Sequence, residues 1–117
     1  MMRIDILTLF PDMCRTVMDE SIIGRAQKTG KIQINIVNIR DYTEDKHLKC
    51  DDYPFGGGAG MVMMPQPIGS AIEALDPEHK ARRIYMSPKG KVLTQQKALE
   101  LSKGDGFLIL CGICGGV

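Results

Sequence analysis

The sequence predicts an α/β domain, a mostly parallel sheet with flanking helices. Three observations predict it. Apolar, β-branched runs alternate with stretches of helical spacing in the order β-α-β-loop-α-β-α-β, and such alternation marks a parallel sheet covered by helices. Residues 31–39 (Lys-Ile-Gln-Ile-Asn-Ile-Val-Asn-Ile) begin with strict apolar–polar alternation, the period of a strand. Phe107-Leu-Ile-Leu-Cys111 is a short, continuously apolar run, the pattern of a buried strand.

Each element follows from its own residues. Residues 3–10 are apolar and β-branched and end at Pro11, so they read as the first buried strand. Asp12 is placed to cap a helix in which Met13, Val17 and Ile22 recur at helical spacing as far as about Gly24. Gly30 closes a second short helical piece, and the 31–39 strand follows. Residues 41–64 show no period. They hold charges, then Pro54, then Gly56-Gly57-Gly58-Ala59-Gly60, and so long a loop within a compact domain points to function or disorder. Helical spacing resumes over 67–75, with Pro67 in the first turn, and Asp76-Pro77 ends it. Residues 82–86 form a short strand stopped by Ser87-Pro88-Lys89-Gly90. Thr94 can cap a helix reaching Leu101, Gly104 and Gly106 punctuate, and the 107–111 strand ends in Gly112.

The chain has 117 residues, 44% hydrophobic and 25% charged, which suits one small globular domain and excludes collagen, bulk disorder and a disulfide scaffold. No apolar run approaches the roughly 20 residues of a membrane span. The N-terminus carries Asp5 within its apolar run and no small-residue cleavage site, so it does not read as a secretory signal, and the expected compartment is the cytoplasm. Net charge is +1, which gives no global pull toward nucleic acid. Charge is nevertheless uneven. Residues 76–103 hold seven Lys or Arg against three acids, and residues 41–52 hold five acids against Lys46 and Lys49. A basic half and an acidic loop could divide phosphate attraction from base recognition; a plain solvated surface is the simpler explanation.

In open α/β sheets ligands bind beyond the carboxyl ends of the strands. Three such places carry turn chemistry: the Gly-rich loop, Tyr85-Met-Ser-Pro-Lys-Gly90, and Leu110-Cys-Gly-Ile-Cys-Gly-Gly116. The Gly-rich loop is not a P-loop, because Met61 stands where Lys would follow, and it breaks the G-x-G-x-x-G spacing. Its glycines still permit close approach of backbone to a base or phosphate; a flexible surface loop is the alternative. Asp51 and Asp52 are adjacent, so they cannot share one face of a strand. A loop carboxylate can accept from the N1–H and N2–H₂ donors of guanine, or simply be solvated. His47 and His79 lack metal-ligand spacing, and no G-x-S-x-G elbow supports serine hydrolysis. Cys111-Gly-Ile-Cys114 looks like a redox pair. No helix can follow it before Val117 to lower a thiol pKa, and one C-x-x-C does not complete a zinc site.

Several segments in order resemble one family. They are Ile6-Leu-Thr-Leu-Phe-Pro-Asp-Met13, Gly24-Arg-Ala26, Arg40-Asp-Tyr-Thr43, Asp51-Asp-Tyr-Pro-Phe-Gly-Gly-Gly-Ala-Gly-Met61, Met63-Met64, Gln66-Pro67, Tyr85-Met-Ser-Pro88 and Leu110-Cys-Gly112. Together they resemble the N-terminal half of the bacterial tRNA (guanine-N1)-methyltransferases, the TrmD family of the SPOUT superfamily. The resemblance implies transfer of a methyl group from S-adenosylmethionine to N1 of the guanosine just 3′ of the anticodon, position 37 of tRNA. It implies an α/β sheet closed by a trefoil knot. The implied partners are the tRNA anticodon stem-loop and a second copy of the chain, with neither membrane nor DNA. Carried over, Tyr85, Met86, Ser87 and Pro88 form one wall of the donor pocket and Gly112 and Gly116 the next. Asp51, Gly56, Gly57, Gly58 and Gly60 face the target guanosine. No metal is implied.

Two departures stand out. Ile113, Cys114 and Gly115 occupy places where the family has Arg or His, Tyr and Glu. The family's general base, its knot-completing loop and its C-terminal tRNA-binding domain lie beyond the positions matched by residues 1–117. The expectation is an N-terminal SPOUT-type methyltransferase domain with its knot incomplete and little activity alone. The alternative is a truncated or diverged relative that serves only in dimerisation or RNA binding. A cut sheet of this kind is also expected to expose apolar surface near residues 107–111.

Overall fold

A computed structural model of the chain describes residues 2–44, 51–52, 62–63, 65–86 and 90–111. The elements are β1 (Met2–Thr8), α1 (Pro11–Met18), α2 (Ser21–Lys28), β2 (Ile32–Asn38), a 3-10 turn (Ile39–Tyr42), β3 (Asp51–Asp52), β4 (Val62–Met63), α3 (Pro65–Leu75), β5 (Arg82–Met86), α4 (Gln95–Ser102) and β6 (Gly106–Cys111). Four strands form an all-parallel sheet in the order β2-β1-β6-β5. The α/β expectation therefore holds, and every strand of the sheet ends on the same edge.

The segment expected to be one long loop, 41–64, contains more. It opens with the end of the 3-10 turn and carries a short antiparallel ladder, in which Asp51 pairs with Met63 and Asp52 with Val62. Alternation could not reveal strands of two residues.

Register fixes the two faces of the sheet. Asp5 stands beside Leu108 and Leu7 beside Leu110, so these side chains share one face. Against that face packs α3, and Leu7, Leu9, Ile39, Ile68, Ala71 and Leu108 form the core. Burying each large side chain there is worth about 1.5–3 kcal/mol before entropy is counted. Asp5 is buried beside this core, and its carboxylate accepts from Arg3 Nε at 3.1 Å and from Asn35 Nδ2 at 3.0 Å. Those bonds offset the desolvation of the charge. The opposite face carries Ile4, Ile6, Phe107 and Ile109. The chain moves one way along the sheet from β1 to β2 and the other way from β2 to β5, so right-handed crossovers place α3 opposite α1 and α2.

The first helical region departs from expectation. Pro11 opens α1, with Phe10 rather than Asp12 at the cap, and Asp12 instead pairs with Arg15 at 2.9 Å. Proline suits the first turn because its missing N–H has no partner there anyway. The helix does not run to Gly24; it stops at Met18, and α2 starts at Ser21. Gly24 is the reason the two can meet closely. A Cβ at Gly24 would stand 2.4 Å from the carbonyl oxygen of Asp19. Gln27 Nε2 then donates to Met18 O at 2.6 Å and ties the helices together.

Other local expectations hold. Gly30 follows α2 with φ +76°. The Thr94 hydroxyl accepts from Lys97 N at 3.1 Å and caps α4. α3 begins two residues earlier than its periodicity suggests, at Pro65. Beyond α3 the buried Asp76 accepts from the amides of Lys80 at 3.0 Å and Ala81 at 3.1 Å, which shapes the turn into β5.

Residues 107–111 themselves are not exposed; the exposed apolar surface near them is supplied by Tyr85 and Met86 on the neighbouring β5. β6 lies between β1 and β5, so Phe107 and Leu108 are buried and Ile109, Leu110 and Cys111 half-buried. Further exposed apolar side chains lie at Phe10, Met13, Val17 and Ile22 around α1 and α2, and at Val92, Leu93 and Leu99 around α4.

Candidate functional site

All four sheet strands point their carboxyl ends to one edge, and of the predicted site residues Tyr85 and Met86 lie at it. Tyr85 is in register with Leu110, and Met86 with Cys111. The ends of β5 and β6 are therefore neighbours. Sequence order alone separates Met86 and Cys111 by 24 intervening residues; the parallel ladder brings them side by side. Tyr85 and Met86 are exposed, while Leu110 and Cys111 are half-buried. Among the described residues β5 is the edge strand of the sheet, and no described strand pairs with its outer side. An edge of this kind, with an exposed aromatic ring and a thioether beside it, offers apolar contact and open backbone hydrogen-bonding groups together. Ser87, Pro88, Gly112 and Gly116 lie outside the described residues.

The segment carrying Asp51 leaves the same edge from β2, with β1 standing between it and β6. Gly56, Gly57, Gly58 and Gly60 also lie outside the described residues; Asp51 is fixed through its backbone pairing with Met63. The two ends of this segment meet at Gln66, in the first turn of α3. Gln66 Oε1 accepts from Glu44 N at 3.0 Å, and its Nε2 donates to Tyr42 O at 2.8 Å and to Ser70 Oγ at 3.0 Å. No sequence period signals these bonds, because Gln66 and its loop partners are 22 and 24 residues apart.

The cysteine pair reads differently in three dimensions. Cys111 has Cys14 of α1 as its thiol neighbour. Burial pushes the Cys111 thiol above its usual value of 9.0, and the charge and hydrogen bond of Cys14 add to the rise. A raised pKa disfavours the thiolate, so Cys111 is not an activated nucleophile. Cys114 lies outside the described residues.

Much of the basic excess of residues 76–103 is used internally. Lys80 pairs with Glu78 at 2.6 Å, Arg83 with Asp76 at 3.6 Å, and Arg82 and Lys97 with Glu100 at 3.0 and 3.4 Å. The Arg82 hydrogen bond, then the Lys97 charge, hold the exposed Glu100 carboxyl below its ordinary value of 4.5. Among the described residues, Lys91 and Lys103 carry no ion pair. The simpler reading of this stretch, a solvated surface, thus accounts for most of its charge. A shallow cavity of about 230 Å³ lies between α1, α2 and the middle of β2, against Met18, Gln27 and Ile36. It is set back from the strand edge, and Arg15, Asp19 and Asn35 also line it. Among the described residues no group of three His, Cys, Asp or Glu is close enough to hold a metal, and no helix is long and apolar enough to cross a membrane.

Fold and edge together define an open parallel α/β domain with its loop chemistry beyond the strand ends, the class in which ligands bind at that edge. The family model described as tRNA (Guanine-1)-methyltransferase TrmD matches residues 2–117. The chain belongs to that family. A tRNA (guanine-N(1)-)-methyltransferase of Ruminiclostridium cellulolyticum is 58% identical over 118 residues, covering 99% of this chain and 51% of the relative. The Staphylococcus aureus protein of the same name is 52% identical over 111 residues, covering 95% of this chain and 45% of its own length. The crystal structure of tRNA (m1G37) methyltransferase from Aquifex aeolicus superposes with a TM-score of 0.86 at 31% identity, over 95% of this chain and 50% of that one. The chain thus spans about half the length of the relatives it matches.

Proposed function

We propose that this chain is the donor- and guanosine-binding part of an S-adenosylmethionine-dependent tRNA (guanine-N1)-methyltransferase acting on the guanosine 3′ of the anticodon. The family match across residues 2–117 carries the reading. The meeting of the 85–86 and 110–111 strand ends at one edge supports it.

The donor brings a sulfonium-activated methyl group. Tyr85, Met86, Ser87 and Pro88 would hold it from β5, and Gly112 and Gly116 from the turn after β6. The exposed Tyr85 and Met86 beside half-buried Leu110 and Cys111 fit an adenine ring and its apolar contacts, and the open outer edge of β5 fits its hydrogen-bonding rim. Asp51 and the glycines 56, 57, 58 and 60 would face the guanine. A carboxylate accepts from the N1–H and N2–H₂ donors, and glycines let backbone lie against the base.

Guanine N1 becomes nucleophilic as its proton leaves, so transfer needs a positioned base as well as in-line placement of donor and acceptor. The working form is a homodimer in the cytoplasm. Phe10 at the cap of α1 and Met13 and Val17 within it support the dimer, because all three are exposed and apolar.

The test is expression of the gene carrying this chain in bacteria depleted of their own enzyme. Mass spectrometry of digested tRNA should show N1-methylguanosine restored. Restoration of a different modified nucleoside, or of none from a soluble product, would sink the reading.

A further inference from the structure

The structure assigns a covalent modification site to Cys14 and Cys111: a pair of thiols that a small-molecule disulfide oxidises to a cross-link between α1 and β6. Three observations bring the two together. Along β6, Phe107, Ile109 and Cys111 alternate onto the sheet face opposite Leu108 and Leu110, the face that α1 and α2 cover. Within α1, Pro11, Cys14 and Met18 are half-buried at spacings of three and four while the residues between them are exposed, so Cys14 lies on the stripe that meets the sheet. The two thiols share a hydrogen bond, and neither is in a disulfide. The site is open as well as assembled. Both cysteines are half-buried rather than sealed, and Met86, in register with Cys111, is exposed.

Exchange runs through a mixed disulfide. Burial holds the proton on Cys111, so the first attack falls to Cys14. The Cys14 sulfur gives up its proton and bonds to one sulfur of the reagent; the reagent's S–S bond breaks, and one reagent thiol leaves with a proton. Cys111 then gives up its proton and attacks the Cys14 sulfur, and the second reagent thiol leaves. The cysteines have lost two hydrogens and the reagent disulfide has become two thiols. Where thiols are kept reduced, such a link is transient. While it lasts it pins α1, which fully buries no residue of its own, to β6 between β1 and β5.

The experiment treats the reduced chain with oxidised glutathione in the absence of air and follows intact mass and peptide maps with fragmentation. Cys50 and Cys114 are the other cysteines of the chain, so the measurement is repeated on the double variant Cys50→Ser, Cys114→Ser. Both proteins should become lighter by two hydrogens, yield a cross-linked pair of peptides joined through Cys14 and Cys111, and return to their starting mass with dithiothreitol. With Cys111→Ser added to the double variant, glutathione should stay on Cys14. Ring closure in the folded double variant should be at least about tenfold faster than in urea, because the fold supplies the proximity. A wild-type link of Cys111 to Cys114 in place of Cys14 overturns the inference. So does closure no faster in the folded chain than in urea, or a double variant, folded by circular dichroism, that keeps both thiols. If the double variant does not fold, the wild-type peptide map decides alone.

Discussion

The two helical glycines Gly24 and Gly69 should respond in opposite directions to the same substitution. Gly69 lies in α3 with nothing within 4 Å of the position a Cβ would take. Alanine there reduces the freedom of the unfolded chain and meets no neighbour, so Gly69→Ala should stabilise by about 0.5–1 kcal/mol. Gly24 lies in α2, where the same Cβ would stand 2.4 Å from Asp19 O and 2.9 Å from Asp19 C, both backbone atoms. Ordinary contact begins at 3.4 Å, so the link between α1 and α2 has to give by about 1 Å. That link is held by Gln27 Nε2 on Met18 O and by Gly24 N on Glu20 O, so it cannot move freely. Overpacking of this kind costs about 1–3 kcal/mol. Helix propensity returns up to about 1 kcal/mol of it. Gly24→Ala should therefore lose about 1–2 kcal/mol, or about 4–8 °C of melting temperature for a domain of this size. Differential scanning calorimetry on both variants reads the difference. A rise in Tm for Gly24→Ala comparable to that of Gly69→Ala would refute the close approach between α2 and the end of α1.

Two further predictions address the core and the turn into β5. Leu7 is fully buried at the centre of the α3-facing core, so Leu7→Ala should lose about 2–5 kcal/mol in urea unfolding; a loss under about 1 kcal/mol would mean the core lies elsewhere. For Asp76, desolvation pushes the carboxyl up, but the Lys80 and Ala81 amides and the charges of Arg83 and His79 outweigh it and hold it below 3.8. Between its folded value and 3.8 the unfolded chain binds the extra proton, so stability rises with pH there, is complete above that window and is lost on acidification. In Asp76→Asn this part of the pH slope should vanish, and an unchanged acid limb would show that the turn does not depend on the charge.

The sheet was legible because its signal is local. The alternation of residues 31–39 and the apolar 107–111 run each mark a strand without reference to the rest of the chain. The α1–α2 break was not legible. Met13, Val17 and Ile22 suggest one helix, and what divides it is the backbone approach at Gly24, which no period encodes. β3 and β4 escaped for a similar reason, since two paired residues cannot establish alternation. For the candidate site the sequence marks three separate segments after strands. That the ends of β5 and β6 are neighbours follows only from the β2-β1-β6-β5 order. Gln66 was visible as part of a family-like segment, but its partners are fixed by the fold. The C-x-x-C spacing carries no redox reading in the sequence, and the closeness of Cys14 to Cys111 follows only from the packing of α1 on the sheet.

The most direct test of the donor site is calorimetric titration of the folded chain with S-adenosylhomocysteine, run alongside circular dichroism to establish folding. The account predicts saturable binding, one ligand per chain, abolished when Gly112 is replaced by a bulky residue. No binding heat from a folded chain at several temperatures would contradict the placement of the donor at the ends of β5 and β6.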